Sequence, residues 1–212
     1  MKIDLARRAE IGRAKRARTR AQIVEAGLIL LSERPPEALT VDTIVEAAGV
    51  AKGTFYYHFQ SIEELVAAVG GKLADSFDEL LAPSRIDEAD PIERMSFAFT
   101  EFLEKAINEP LWGQLVVRSA QVPAAIRGIR ENLKADLAEG IAQGRLALQD
   151  VELAADIVIG IWLQVTRGSL ERRAAPDLTR QALDAVLRAL GCNATAQSQE
   201  LLGRQRSPIS VQ

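Results

Sequence analysis

Apolar residues recur along this chain at three- and four-residue intervals, and no stretch alternates convincingly with the period of two that a half-buried strand requires. Ile23, Ala26, Gly27, Leu30 and Leu31 stand at i, i+3, i+4, i+7 and i+8, which predicts a helix from Arg18 to about Ser32. Pro35-Pro36 stops it, since proline lacks an N–H and clashes with the preceding turn. Thr40 is the expected N-cap of a second helix, where Val41, Ile44, Val45 and Ala48 repeat the spacing. Gly49 follows at a point where a tight turn wants positive φ. Residues 51–59 are poor helix formers, and a short helix there needs Val50, Phe55 and Phe59 to dock on its neighbours. Ser61-Ile62-Glu63-Glu64 has the form of a capping box. It opens a long helix whose stripe runs Ile62, Leu65, Val66, Val69, Leu73, Phe77, Leu80, closed by Pro83 and the polar segment that follows.

Further helices are predicted over Ile92–Ile107, Leu111 to about Ala120, Pro123 to about Gln143, Glu152–Arg173 and Leu178–Leu190. The stretch from Glu152 is apolar on nearly every side, so it is expected to be buried all round, with an oligomer interface covering its second face. Residues 192–212 are polar and expected to be disordered. The fold class is therefore all-α, with about nine helices.

Composition narrows the chemistry. No run of about 18 apolar residues is present, so no transmembrane helix is expected, and the N-terminal segment lacks the apolar core of a signal peptide. One cysteine, Cys192, excludes an internal disulfide and fits a reducing cytoplasm. With one histidine besides, a His/Cys zinc site is not expected, and no cofactor is indicated. The net charge of −3 conceals an asymmetry: residues 1–20 hold eight Lys/Arg against Asp4 and Glu10, or +6, leaving −9 for the rest. Residues 1–17 read as a basic flexible arm. Both tyrosines and the only histidine fall at 56–58, flanked by Phe55 and Phe59. That arrangement suits a surface that packs through phenylalanines and offers hydroxyls, an imidazole and Lys52 to a polyanion such as the DNA backbone.

The stretch from Ala48 to Phe59, AGVAKGTFYYHF, with Arg18-Thr19-Arg20 before it and Leu39-Thr40-Val41 and Ser61 to Leu65 around it, resembles the TetR family of bacterial transcriptional regulators. The similarity is densest over residues 18–66 and only architectural beyond residue 80. It implies a three-helix helix-turn-helix DNA-binding domain over 18–66, its fourth helix continuing to about 82 as connector. It implies a helical ligand-binding and dimerisation domain over 67–191, pairing through the helices around 152–173 and 178–190 as a homodimer. One departure concerns the position after Ser61, which is basic in many relatives. Here it is Ile62, followed by Glu63 and Glu64, and the basic arm is expected to compensate.

By resemblance and geometry, Ala51 to His58 form the recognition helix in the major groove of double-stranded DNA. Lys52 is expected to reach a phosphate or a guanine edge, Gly53 to allow close approach, Thr54, Tyr56 and His58 to meet phosphates, and Tyr57 to meet a base. Thr40 and Thr43 are expected on the backbone, and Arg13, Lys15, Arg16, Arg18 and Arg20 along phosphates or in an adjacent minor groove. A small-molecule site is expected among Met95, Phe99, Phe102, Trp112, Arg118, Trp162 and Gln164, with Gln114 and Arg167 as further polar interruptions of apolar helices. Arg118 near Trp112 points to an anionic or aromatic ligand.

The leading function is a ligand-responsive homodimeric repressor on a roughly palindromic operator, located in the cytoplasm and not on a membrane. A regulator without a small-molecule ligand is the alternative. An all-helical enzyme is the remote one, since His58 lies on the expected DNA face, Cys192 in a polar tail, and no phosphate-binding glycine loop is present.

Overall fold

The computed structural model describes residues 2–81, 90–172 and 175–192, all of them helical or connecting. Nine α-helices and two short 3-10 turns are found among the described residues. They divide into two compact units. The first takes the described residues up to Ala74 together with Arg118–Arg127, and the second takes Asp75–Val117 and those from Gly128 onward. The division falls at 74/75, within the helix expected to continue past residue 66 as connector, and a segment from much later in the sequence joins the first unit.

Helix α1 runs Lys2–Glu33, 32 residues without a break. This corrects the expected flexible arm over 1–17. The segment has no proline, one glycine (Gly12), and otherwise consists mostly of Ala, Leu, Arg, Lys and Glu, the strongest helix formers. Thr19 donates its hydroxyl back to the carbonyl of Lys15, at 3.1 Å, inside the continuous helix. A 3-10 turn at Pro36–Ala38 leads to α2 (Val41–Ala48), α3 (Lys52–His58) and α4 (Ile62–Leu81). The core of this unit is built from Ile23, Leu31, Ile44, Phe55, Phe59, Leu65, Val66 and Val69, all essentially inaccessible to water. The side chains of Leu80 and of the residues around Pro83 lie outside the described part.

The second unit contains α5 (Pro91–Asn108), α6 (Pro110–Ser119, as far as Val117), α7 (Arg127–Ala142, from Gly128), α8 (Val151–Glu171) and α9 (Leu178–Ala189). Pro123–Ile126 forms a 3-10 turn, so the helix expected from Pro123 starts four residues late. Asp90 caps α5 by accepting from Ile92 N–H, and Asp150 caps α8 by accepting from Glu152 and Leu153 N–H. Helices α5, α8 and α9 pack on one another. Arg94 ties α5 to Asp136 and Glu139 of α7, while Arg130 and Lys134 of α7 hold Glu152 of α8.

By length and composition, α8 is the only described helix apolar enough to cross a membrane. Inside this chain it buries one stripe, Ala154, Ala155, Val158, Trp162 and Thr166. Leu153 is 46% exposed and Ile157, Ile161 and Val165 are half-covered, so the helix is not buried all round by its own chain. The expected tail from 193 lies outside the described residues.

Candidate nucleic-acid interface

Three local devices set the geometry of α2 and α3. Thr40 caps α2 reciprocally with Thr43: Thr43 N–H donates to Thr40 Oγ1 and Thr40 N–H to Thr43 Oγ1, each at 3.2 Å. Gly49 adopts φ 64° and ψ 36°, the left-handed conformation that ends α2 at low steric cost. Gln22 of α1 donates to the carbonyl of Ala48 at 2.9 Å, fixing the last turn of α2 against α1. The seven-residue α3 then holds its place by burying Phe55 and, just after it, Phe59, whose ring centroids lie 5.9 Å apart.

With both phenylalanines turned inward, the residues between them turn outward. Tyr56 is 53% and Tyr57 67% exposed, among the most exposed large side chains described. His58 is half-covered and meets the Tyr57 ring edge-on at 5.0 Å. Ala51, Lys52 and Gly53 are exposed, and a Cβ added at Gly53 would meet nothing within 4 Å, so a ligand backbone can approach there unobstructed. Thr54 is half-covered. Arg18 and Arg20 are exposed on α1, and the Arg20 guanidinium lies 4.9 Å from the centroid of the Phe59 ring, which places it at the end of α3.

The partner of Lys52 was not legible from the spacing of residues. Its ammonium donates to both carboxylate oxygens of Asp42, at 2.9 and 3.2 Å. That pairing raises the lysine pKa, so Lys52 stays charged. Asp42 sits in the first turn of α2, where an acid reads simply as a complement to the helix dipole. The contact also brings the start of α2, with Thr43, beside the start of α3. The start of α4 is already satisfied: Glu64 N–H donates to Ser61 Oγ at 3.2 Å and Gln60 N–H to Glu64 Oε2 at 2.7 Å. The Ser61 hydroxyl, with backbone help, holds the Glu63 carboxyl below the ordinary carboxylate range. With two carboxylates in place, that helix start is a poor phosphate seat.

In the second unit, four rings form a connected cluster. Phe102 touches Phe77 (4.1 Å between centroids), Trp112 (4.8 Å) and Trp162 (4.4 Å). Met95 and Phe99 share its face of α5 and are buried. Trp112 is half-covered, with Lys105 5.4 Å from its ring centroid. Trp162 Nε1, Thr166 Oγ1 and Ser96 Oγ are buried and have no hydrogen-bond partner among the described residues. Phe77, Ser96 and Thr166 were missed from the sequence; a lone hydroxyl on an apolar face is the only signal the last two give.

Two expected ligand residues lie elsewhere. Arg118 belongs to the first unit and donates to the Leu31 carbonyl at 2.7 Å, because that carbonyl near the end of α1 lacks a helical partner. Gln164 is exposed on α8, about 200° around the helix from Trp162.

Residues 23–69 match the family described as bacterial regulatory proteins, tetR family, and residues 90–204 match the tetracyclin repressor-like C-terminal domain. This chain belongs to the TetR family of bacterial transcriptional regulators. It is 32% identical over 168 residues to the probable HTH-type transcriptional regulator ArpR of Pseudomonas putida, covering 68% of this chain and 80% of that one. Over 195 residues it is 23% identical to the HTH-type transcriptional repressor KstR of Mycobacterium tuberculosis, covering 90% and 88%. The solved structure of RolR in complex with resorcinol aligns with a TM-score of 0.67 at 25% identity, over 90% of this chain and 96% of that one. As a TetR-family member the chain is a helix-turn-helix transcriptional regulator of a non-enzymatic family, and it binds DNA through the α2–α3 unit.

Proposed function

We propose that this TetR-family chain is a homodimeric repressor that reads a roughly palindromic operator and is released by a small molecule bound in the second unit. The observation that carries the DNA half is the outward presentation of Lys52, Gly53, Tyr56 and Tyr57 from a helix pinned by Phe55 and Phe59. Lys52, Tyr56, Thr54, His58, Thr40, Thr43, Arg18 and Arg20 meet the backbone, and Tyr57 a base edge. One short helix contacts only a few base pairs, so specificity requires two copies. The half-covered apolar face of α8, with Leu153, Ile157 and Ile161, supplies the surface for pairing together with α9. A cytoplasmic location follows from this role.

The effector half is supported by the ring cluster and its unpaired polar atoms. A buried N–H or hydroxyl without a partner costs about 1–3 kcal/mol, and an oxygen-bearing ligand removes that cost. Trp162, Phe102, Met95, Phe99 and Trp112 therefore favour a ring-bearing effector with oxygen functions, a class that includes the resorcinol bound by RolR. The alternative, regulation without a small molecule, requires the rings to fill their space completely.

The test is binding to duplexes tiling the DNA around this chain's own gene, over a salt series, with a Lys52→Ala/Tyr57→Ala variant alongside. Specific binding lost in the variant and weakened by resorcinol or a related phenol supports both halves. Specific binding indifferent to every small aromatic tried removes the effector half. Equal binding by wild type and variant removes the assignment of α3.

A further inference from the structure

The helices assigned to DNA are acidic, where a binder of polyanions is expected to be basic. From Leu39 to Val66, through α2, α3 and the first turn of α4, the chain holds one lysine and no arginine against Asp42, Glu46, Glu63 and Glu64. With His58 neutral, the stretch carries three more negative charges than positive ones. Its one lysine is Lys52, whose ammonium donates to both oxygens of the Asp42 carboxylate.

That pair changes what Lys52 can do. A lysine is a compact charge on a flexible four-carbon stem, and it grips any phosphate within reach. Here Asp42 offsets the charge and holds the end of the stem. Lys52 Nζ lies 2.9 and 3.2 Å from the two carboxylate oxygens, so two of its three N–H donors are engaged and one is left for a ligand. The side chains are 54% and 76% exposed, which puts the pair at the surface and not in the core. An exposed pair adds little to stability, so its effect falls on what approaches the surface. The cap of α2 does not need it, since Thr40 and Thr43 supply that cap themselves. To an approaching duplex the pair offers one directed donor and almost no net charge.

We infer that Asp42 is a specificity-determining residue: it keeps Lys52 from gripping phosphates of any sequence and leaves it one directed hydrogen bond to the backbone where α3 is seated. The inference rests on the DNA-binding reading of α3. Specificity is a difference between two affinities, and weakening the wrong complex raises it as readily as strengthening the right one. On random duplex, where Tyr57 meets no matching base, the neutral pair contributes next to nothing. On the operator the base contact seats the helix, and the remaining N–H reaches its phosphate from a stem that is already ordered.

The test uses the full-length chain with Asp42→Asn, Glu46→Gln, Lys52→Met and the double variant Asp42→Asn/Lys52→Met. Glu46 is exposed one turn further along α2 and lies outside the pair, so its variant removes the same charge without freeing a lysine. All three positions are exposed, and thermal melts confirm that each variant folds. Affinity is measured from 50 to 200 mM salt on a 30-base-pair random duplex and on the tiled duplexes above. Asp42→Asn is expected to tighten binding to random duplex by about two- to fivefold at 50 mM. It is expected to steepen the slope of log K against log salt by about 0.9 per protomer bound. The preferred tile gains less, so the ratio of the two affinities falls. Glu46→Gln is expected to have less than half of either effect, and Asp42→Asn to do no more than Glu46→Gln once Lys52→Met is in place. Equal effects of Asp42→Asn and Glu46→Gln mean diffuse repulsion and overturn the inference, as does an Asp42→Asn effect that survives Lys52→Met. A preferred tile that gains as much as random duplex overturns it as well. If random duplex responds as expected but no tile is preferred, the operator reading falls and the hold of Asp42 on Lys52 stands. If neither Lys52→Met nor Asp42→Asn changes affinity for any duplex, α3 is not the DNA face and both fall.

Discussion

Two groups of aromatic residues serve this molecule in opposite ways. Phe55, Tyr56, Tyr57 and Phe59 are contiguous, and the helix turn sorts them into two buried rings and two exposed ones. Phe77, Phe102, Trp112 and Trp162 come from four helices spread over 86 residues (162 − 77 + 1) and meet only in the folded chain. A surface that reads a long polymer can be encoded locally, because its partner supplies the other half. An interior proposed to hold a small molecule has to be assembled from distant segments, because it must surround its partner.

Replacing rings is the hardest way to break that comparison. Phe55→Ala is expected to cost about 3–5 kcal/mol of stability, through lost burial and the cavity it leaves. Its neighbour-but-one, Tyr57→Ala, is expected to stay within about 0.5 kcal/mol while operator affinity collapses. Denaturant melts beside binding curves check both; equal destabilisation would erase the inward–outward division.

The paired glycines in α4 make a finer cut. A Cβ on Gly70 would collide with the Ala125 carbonyl oxygen, whereas one on Gly71 meets nothing within 4 Å. Gly70→Ala is expected to destabilise by about 1–3 kcal/mol, since backbone must move. Gly71→Ala is expected to stabilise by up to about 1 kcal/mol through helix propensity. Opposite shifts in melting temperature are the readout, and shifts of one sign would deny the close approach.

Thr166→Val probes the ring cluster more gently. It removes a buried hydroxyl that has no partner among the described residues while keeping shape, so the protein alone is expected to gain about 1 kcal/mol or stay level. Binding of an oxygen-bearing aromatic, followed by calorimetry, is expected to weaken. A clear loss of stability would show that the hydroxyl has a partner within the protein.

Acid supplies the smallest perturbation. Lys134 and then Arg130 hold the Glu152 carboxyl below its ordinary range. Its folded pKa is depressed, so its contribution is complete above the unfolded value, about 4.3, and fades as pH falls through the lower folded value. Unfolding at pH 7 and pH 3 with Glu152→Gln is expected to show a difference between variant and wild type only at the higher pH. A difference that persists unchanged at pH 3 would remove the linkage.

What could be read beforehand follows the same division. The N-cap at Thr40, the turn at Gly49, the Ser61 hydroxyl on Glu64 N–H and the inward turn of Phe55 and Phe59 depend on residues within a few positions, and spacing sufficed for these, while the Glu64 carboxylate turns to Gln60 N–H and not to Ser61. The Lys52–Asp42 pair spans a turn, and its geometry is set only once α2 and α3 are docked. Arg118 was misplaced because its fate depends on the Leu31 carbonyl, 87 positions away. Gln164 was misplaced because nearly every side of α8 is apolar, so the pattern did not show which stripe faces α5. The arm was read as flexible from its charge, although its residues are helix formers by propensity.

The concentration of positive charge at the start of α1 also bears on how the protein behaves at the bench. With a net charge of −3, it should bind an anion exchanger near neutral pH as any mildly acidic protein does. The same preparation should be retained by heparin and carry cellular nucleic acid through a low-salt lysis, because +6 is concentrated in the first 20 residues. A raised 260-to-280 nm absorbance ratio that falls after a high-salt wash would be the mark of one helix, not of the whole molecule.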